Sequence, residues 1–322
     1  MLRVRRQTDW AWKVAIYLGL SSAGAGAYVA WQGLRALDAT WGGSGRPGAG
    51  LGIGLVVVGA LFILLDLGRW SRFYLAAFRP GTSWESRGFL IVSTFGLLGL
   101  LQAGGWTLVP GGLDILLSIP VTLLALAILP YASLLLRSLR PFTFWSHPLQ
   151  AALSPVSGLL AGCGILAFDP LQWISAAQER TLVAGITALA VIEALLLAAL
   201  LWEVRRSGPA GLASVQTLVS GETSLEFWLG AVGLGVVLPL AIGAGALMGA
   251  VDSDLVRLVG AAALVGAIFL RHVLLAAAHR PTELTFRGLG PWGIGGLSPL
   301  QDPDGASSGA GGGGRADRVS GL

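Results

Sequence analysis

Eight long apolar stretches run through this chain and leave it few ways to fold. They cover residues 11–32, 50–67, 88–109, 112–136, 148–168, 181–202, 227–250 and 255–278. A helix needs about 20 mainly apolar residues to cross about 30 Å of hydrocarbon, and each stretch comes close to that length. Their apolar residues are continuous and lack the alternation of a porin strand. Hydrocarbon offers the backbone no hydrogen-bond partner, so each stretch must satisfy its own N–H and C=O groups as a helix. Composition agrees. Of 322 residues, 54% belong to the set AVILMFWYC and only 12% are charged, against about 25% charged in a soluble domain. Such a balance excludes a soluble enzyme and a disordered chain alike. The expected fold is therefore all-α and integral to a membrane. Eight transmembrane helices lie within residues 1–280, and a flexible, Gly-rich tail follows over 281–322.

The N-terminus has two readings. Arg3, Arg5 and Arg6, an apolar run and then Ala23-Gly-Ala-Gly-Ala27 have the outline of a signal peptide. Trp10, Trp12 and Lys13 interrupt that outline, and apolar residues continue to Trp31, so the stretch reads as an uncleaved first span. An even span number puts both termini on one side. Of the 21 basic residues, all but Arg35, Arg46, Arg180 and Arg257 fall on the terminus side. Cytoplasmic loops concentrate Arg and Lys, so both termini are expected in the cytoplasm. The net charge of +4 is this loop charge, and it implies no nucleic-acid partner.

Trp10, Trp12, Trp31, Trp70, Trp84, Trp106, Trp145, Trp202 and Trp228 fall near proposed helix ends. That placement reads as an interfacial aromatic belt. Gly50/Gly54, Gly158/Gly162 and Gly245/Gly249 are spaced to share one helix face and predict close helix packing. Pro120, Pro130, Pro155 and Pro239 lie within spans and are expected to kink them.

Ionisable groups at membrane depth are costly and mark function by default. Most lie in the half nearest the termini. Lys13 and Tyr17 open the first helix, Asp66 and Arg69 close the second, Tyr131 sits late in the fourth, and Arg271 and His272 late in the eighth. Glu193 falls near the middle of the sixth, while Asp114 and Gln102 face the opposite side. Lys13, Arg69 and Glu203 have headgroup snorkelling as an alternative to a pocket role. Asp66 and Arg69, three apart on a helix, either pair with each other or face a ligand. Tyr131 reads equally as an interface tyrosine or a pocket residue. Glu193 is too deep to snorkel, which points to a proton relay or a buried pair with an arginine.

Cys163 is the only cysteine, which excludes an intrachain disulfide, a Cys-based zinc site and a self-held iron–sulfur cluster. Of three histidines, His147, His272 and His279, only His272 lies clearly within a span, too few to ligate haem convincingly. Neither a phosphate-binding Gly-x-x-x-x-Gly-Lys loop nor a His-Glu-x-x-His pair is present. No haem or metal is expected in this chain, and no catalytic residue is assigned.

Four stretches carry a family resemblance. They are Tyr17-Leu-Gly-Leu-Ser-Ser-Ala-Gly-Ala-Gly26; Leu65-Asp-Leu-Gly-Arg-Trp-Ser-Arg-Phe73 with Ser83-Trp-Glu-Ser-Arg-Gly88; Tyr131-Ala-Ser-Leu-Leu-Leu136 with Pro141 and Trp145; and Phe227-Trp228 with Gly235, Pro239 and Leu264-Val-Gly-Ala-Ile-Phe-Leu-Arg-His272. The chain resembles the polysulfide-reductase membrane subunit family, the NrfD/PsrC-like quinone-reactive subunits. The resemblance implies two four-helix bundles in a bacterial or archaeal cytoplasmic (inner) membrane. It also implies a four-cluster, ferredoxin-like iron–sulfur partner that serves a molybdopterin or other catalytic subunit, with menaquinone or ubiquinone bound as substrate. Tyr131 matches the family's quinone-side tyrosine, Asp66 and Arg69 its helix-two junction, and Arg271 its helix-eight arginine. Some relatives place Asn and His on helix one where this chain has Lys13 and Ile16.

The expected function is a membrane anchor exchanging electrons between the quinone pool and the iron–sulfur partner. Candidate quinone-binding residues are Tyr131, Lys13, Tyr17, Asp66 and Arg69. Candidate proton-relay residues are Asp66, Glu193, Arg271 and His272. Two alternatives stay open: a small-solute or ion transporter, which glycine-broken, kinked spans permit, and a purely structural anchor.

Overall fold

In the computed structural model, residues 4–6, 12–66, 78, 80–81, 83–108, 112–138, 142–168, 173–247, 249 and 252–281 are described. The chain divides into a compact unit, Met1–Glu283, and a second unit, Leu284–Leu322. Every described residue belongs to the first, and the Gly-rich tail lies outside them.

The protein is an all-α membrane protein. Eight helices are long and apolar enough to span a bilayer, in the order and places read from the apolar stretches. A short strand β1, Val4–Arg6, precedes the first span α1, Trp12–Leu37. A single turn, α2 (Trp41–Ser44), leads into α3 (Arg46–Asp66), the second span. Then come α4 (Trp84–Leu108), α5 (Gly112–Ser138), the short α6 (Thr143–Ser146), α7 (Pro148–Ala167) and α8 (Ala176–Arg206). Ser175 caps α8: its hydroxyl accepts the Gln178 N–H while the Gln178 side chain returns to the Ser175 N–H, so two orphan donors are satisfied. A short helix α9, Pro209–Val219, follows. The seventh span opens as a π-helix, Glu226–Val237, and continues as α10, Leu238–Leu247. Pro239 has no N–H for the carbonyl one α-turn back, and the wider turns lie just N-terminal to it. The eighth span is α11, Ser253–Ala276, and strand β2, His279–Pro281, closes the described chain.

These spans form two four-helix bundles. In the first, α1 packs on α3, α3 on α4, α4 on α5, and α5 back on α1. In the second, α7, α8, the π-helix with α10, and α11 close the same kind of ring. The bundles meet chiefly through α1 against α7 and α11. β1 and β2 pair antiparallel with Arg5 opposite Arg280, so the lead-in to the first span and the exit from the eighth share one end of the unit.

Glycine sets the helix spacing. A Cβ on Gly26 would strike the Gly158 carbonyl oxygen, and one on Gly162 would strike the backbone at Gly26 and Ala27. The Gly158/Gly162 pair thus packs as expected. Gly50 and Gly54 do not: Gly54 faces open space, and α3 meets α1 through Gly52 against Gly24 instead. Gly249 lies past the end of α10 with φ 78°, and a Cβ there would meet no neighbour. Spacing identifies a helix face but not the neighbour it meets.

The tryptophan belt is only partly interfacial. Trp202 and Trp228 are about half exposed near helix ends, whereas Trp31 and Trp145 are buried with N–H groups on the Trp41 and Leu274 carbonyls. Core packing accepts an indole near a helix end when a carbonyl satisfies its N–H. Trp10 and Trp70 lie outside the described residues.

Candidate functional site

Among the described residues the apolar core forms two large clusters at different depths and a small third one around Ala23, Ala161 and Ala267. The core at the terminus end holds Leu18, Tyr131, Leu153, Leu197 and Leu270. The opposite core holds Ala25, Ile128, Leu160, Ala190 and Ala263. Between these levels lie the buried Ser21 and Ser22 of α1, Ser154 and Ser157 of α7 and Glu193 of α8. Arg271 of α11 reaches into the same layer.

Arg271 is 2% exposed and Glu193 3%. The Arg271 Nη2 donates to the Ser154 carbonyl oxygen at 2.9 Å and lies 3.3 Å from its Oγ. Ser154 Oγ donates to the Leu129 carbonyl oxygen, tying this contact to α5. The Arg271 Nε and Nη1 atoms have no hydrogen-bond partner, nor do Glu193 Oε2, Ser157 Oγ, Ser21 Oγ or Gln150 Oε1. Glu193 and Arg271 act on one another electrostatically, but no ion pair among the described residues joins them. Ser157 stands beside Glu193 without forming a well-directed bond. Buried polar groups are normally bonded, and each that is not costs about 1–3 kcal/mol. Six such atoms, three of them on the buried Glu193 and Arg271 themselves, mark this layer as more than packing.

Nearer the terminus end, Tyr17 of α1 and Tyr131 of α5 bring their hydroxyls within hydrogen-bonding reach of one another. Both are buried. Gly88 of α4 makes room for them, since a Cβ there would overlap the Tyr131 ring and hydroxyl. Glu85, one turn earlier on α4, acts electrostatically on Tyr131. Local chemistry fixes the start of α4. Ser83 Oγ accepts the Ser86 N–H, and Arg87 donates to the Pro80 and Gly81 carbonyls while lying 4.8 Å over the Trp84 ring. The partly buried Phe62, Ile63 and Trp84 pack against the same apolar core.

A third group stands apart. His272 Nε2 lies 3.1 Å from Glu226 Oε2 at the start of the π-helix. Trp12 stacks on the imidazole at 3.7 Å and meets Phe269 edge-on. An apolar groove of about 640 Å³ runs from Glu226 along Leu229, Gly230 and Leu234.

The structure thus brings Tyr17 and Tyr131 together, and places Glu193 and Arg271 in one layer. Lys13 is exposed one helical turn before Tyr17. His272 faces Glu226 rather than the Arg271 layer. Asp66 ends α3, but its side chain, like all of Arg69, lies outside the described residues. Sequence reasoning missed Glu85, Glu226, Ser154 and Ser157. Glu85 was inside the Ser83–Gly88 stretch, and Ser154 and Ser157 sit three apart on one helix, the spacing of a shared face. Among the described residues no three His, Cys, Asp or Glu side chains gather as metal ligands. No family model and no curated protein matches the chain.

Proposed function

We propose that this chain is the membrane subunit of a respiratory oxidoreductase complex in a bacterial or archaeal cytoplasmic membrane. It exchanges electrons between menaquinone or ubiquinone and a four-cluster iron–sulfur partner that serves a separate catalytic subunit. The observation that carries this reading is the Tyr17–Tyr131 pair over Gly88, three residues drawn from three of the stretches that resemble the quinone-reactive family. Quinone chemistry moves two electrons and two protons. It asks for an apolar slot, a donor at a carbonyl oxygen and a proton route. The residues present fit that list. In this reading a tyrosine hydroxyl donates to the ring carbonyl, apolar residues of the surrounding core such as Phe62, Ile63 and Trp84 wall the ring, and Glu85, which acts electrostatically on Tyr131, takes a proton from the pair. Glu193 and Arg271 offer a protonatable station deeper in the bilayer. The termini face the cytoplasm in this reading, and the partner docks at the terminus end, close to the tyrosines.

Affinity purification from native membranes tests the proposal. An iron–sulfur subunit is expected to co-elute, with iron well above background. A chain that elutes alone, free of iron, under mild detergent overturns it. The transporter reading has its own support in the polar layer between the two apolar cores. Ion flux in proteoliposomes of the chain alone, without quinone, would favour it.

A further inference from the structure

At the end of the membrane unit away from β1 and β2, one carboxylate serves two arginines. Asp114 opens α5 and its side chain is 5% exposed. Its Oδ1 accepts Gln102 Nε2 at 2.7 Å and Trp106 Nε1 at 2.9 Å. Gln102 in turn accepts the Tyr28 hydroxyl at 2.7 Å, and Tyr28 is held by Gln32. Four donors thus fix Asp114 and its neighbours, leaving Oδ2 for the guanidiniums. Arg35, in the last turn of α1, places Nη1 3.0 Å away. Arg46, the first residue of α3, holds Nη2 at 3.8 Å, the edge of ion-pair range. Among the described residues no other carboxylate pairs with either.

The charges therefore do not balance: two guanidiniums face one carboxylate. The hydrogen bonds do not balance either. A carboxylate has about four acceptor positions and two arginines carry about ten N–H donors. Gln102 and Trp106 already occupy one oxygen, and neither Arg35 Nη1 nor Arg46 Nε finds a well-directed acceptor. The guanidinium planes are nonetheless held. Arg35 lies 5.4 Å over the Trp31 ring and Arg46 5.8 Å over the Trp106 ring. Arg35 Nη1 and Arg46 Nε are themselves buried, but the two side chains as wholes are 29% and 37% exposed, so part of each stays accessible.

We infer that Arg35 and Arg46, braced by Asp114, form a binding site for a phosphate oxyanion, and that a net-anionic phospholipid supplies it. A tetrahedral oxyanion offers several acceptor oxygens to two planar forks, which suits guanidinium better than ammonium. The site lies at helix ends beside indoles, the level at which lipid phosphates sit. A phosphodiester in an anionic lipid complements the residual single positive charge. In a zwitterionic lipid the headgroup amine cancels that complement.

Native mass spectrometry of the purified chain in nanodiscs of phosphatidylglycerol and phosphatidylcholine tests this. The wild type should retain the anionic lipid preferentially. Arg46→Gln should cut that preference about three- to fivefold, the range an exposed ion pair supports, and Arg46→Lys should fall between. Asp114→Asn, which removes the compensating charge, should raise it. Arg257→Gln, which removes an arginine paired with Asp254 on the same side, should leave it unchanged. Opposite signs for the Arg46 and Asp114 variants separate charge recognition from general damage. Thermal stabilisation by inorganic phosphate in lipid-free detergent, lost in Arg46→Gln, would keep the oxyanion site but assign it to a soluble anion. Equal lipid retention by wild type and Arg46→Gln, or loss in both Arg46→Gln and Asp114→Asn, overturns the inference.

Discussion

Gly88→Ala places a single methyl group where the candidate site is tightest. The new Cβ would overlap Cζ, Oη and Cε2 of Tyr131. An exposed tyrosine would swing aside. Tyr131 is 6% exposed within the apolar core at the terminus end, so its ring has little room to yield. Overpacking of this kind costs about 1–3 kcal/mol, and in a unit of this size each kcal/mol moves the melting temperature by roughly 2–4 °C. The expected result is a loss of several degrees by thermal unfolding in detergent, together with weaker quinone binding, because the displaced hydroxyl no longer points at the ring carbonyl. Gly88→Ala combined with Tyr131→Leu removes the clashing ring. It should recover much of the stability lost in Gly88→Ala, but not the quinone affinity. A Gly88→Ala protein that melts with the wild type and titrates quinone normally would show that Tyr131 does not depend on this gap.

Three further outcomes follow from the polar layer and the topology. Arg271→Gln strands Glu193 and the Ser154 contacts, and breaking a buried charged set by removing one partner costs about 3–5 kcal/mol; Glu193→Gln, a neutral isostere, should cost less, and the order of melting temperatures checks this. Trp145→Phe leaves the buried Leu274 carbonyl without its donor and should destabilise by about 1–3 kcal/mol. Reporter fusions after Leu322 and within residues 41–47 should report opposite sides of the membrane, with the Leu322 fusion cytoplasmic; matching sides would remove the eight-span topology.

The spans were legible because length and hydropathy are local properties and hydrocarbon permits only a helix. Their ends were less so. The sixth span begins at Ala176 rather than near Thr181, although Ser175 and Gln178 spell a capping box in the sequence. The first runs on to Leu37, past Gln32, and carries Arg35 to the buried Asp114 carboxylate. Pro239 marked a distortion in the seventh span, but not that it takes the form of π-helical turns over Glu226–Val237. In the site, the types and depths of Tyr17, Tyr131, Glu193 and Arg271 were legible from their cost in a bilayer. Their partners were not. Which tyrosine meets which, and that Glu85 joins them, depend on α1, α4 and α5 packing side by side, a fact that no single helix carries. His272 shows the converse: it adjoins Arg271 in sequence yet points the other way, to Glu226.

The central claim is that the tyrosine pair receives a quinone. Equilibrium titration of a short-tailed quinone against wild type, Tyr131→Phe and Tyr17→Phe tests it directly. Each change removes one hydroxyl and keeps the ring. A lost hydrogen bond to a neutral carbonyl costs about 0.5–1.5 kcal/mol, up to roughly tenfold in Kd. Because the two hydroxyls lie within hydrogen-bonding reach of each other, both variants should weaken binding, Tyr131→Phe the more, with the fold and span number intact. Wild-type titrations for both variants, or no quinone binding by the wild type, would contradict the account.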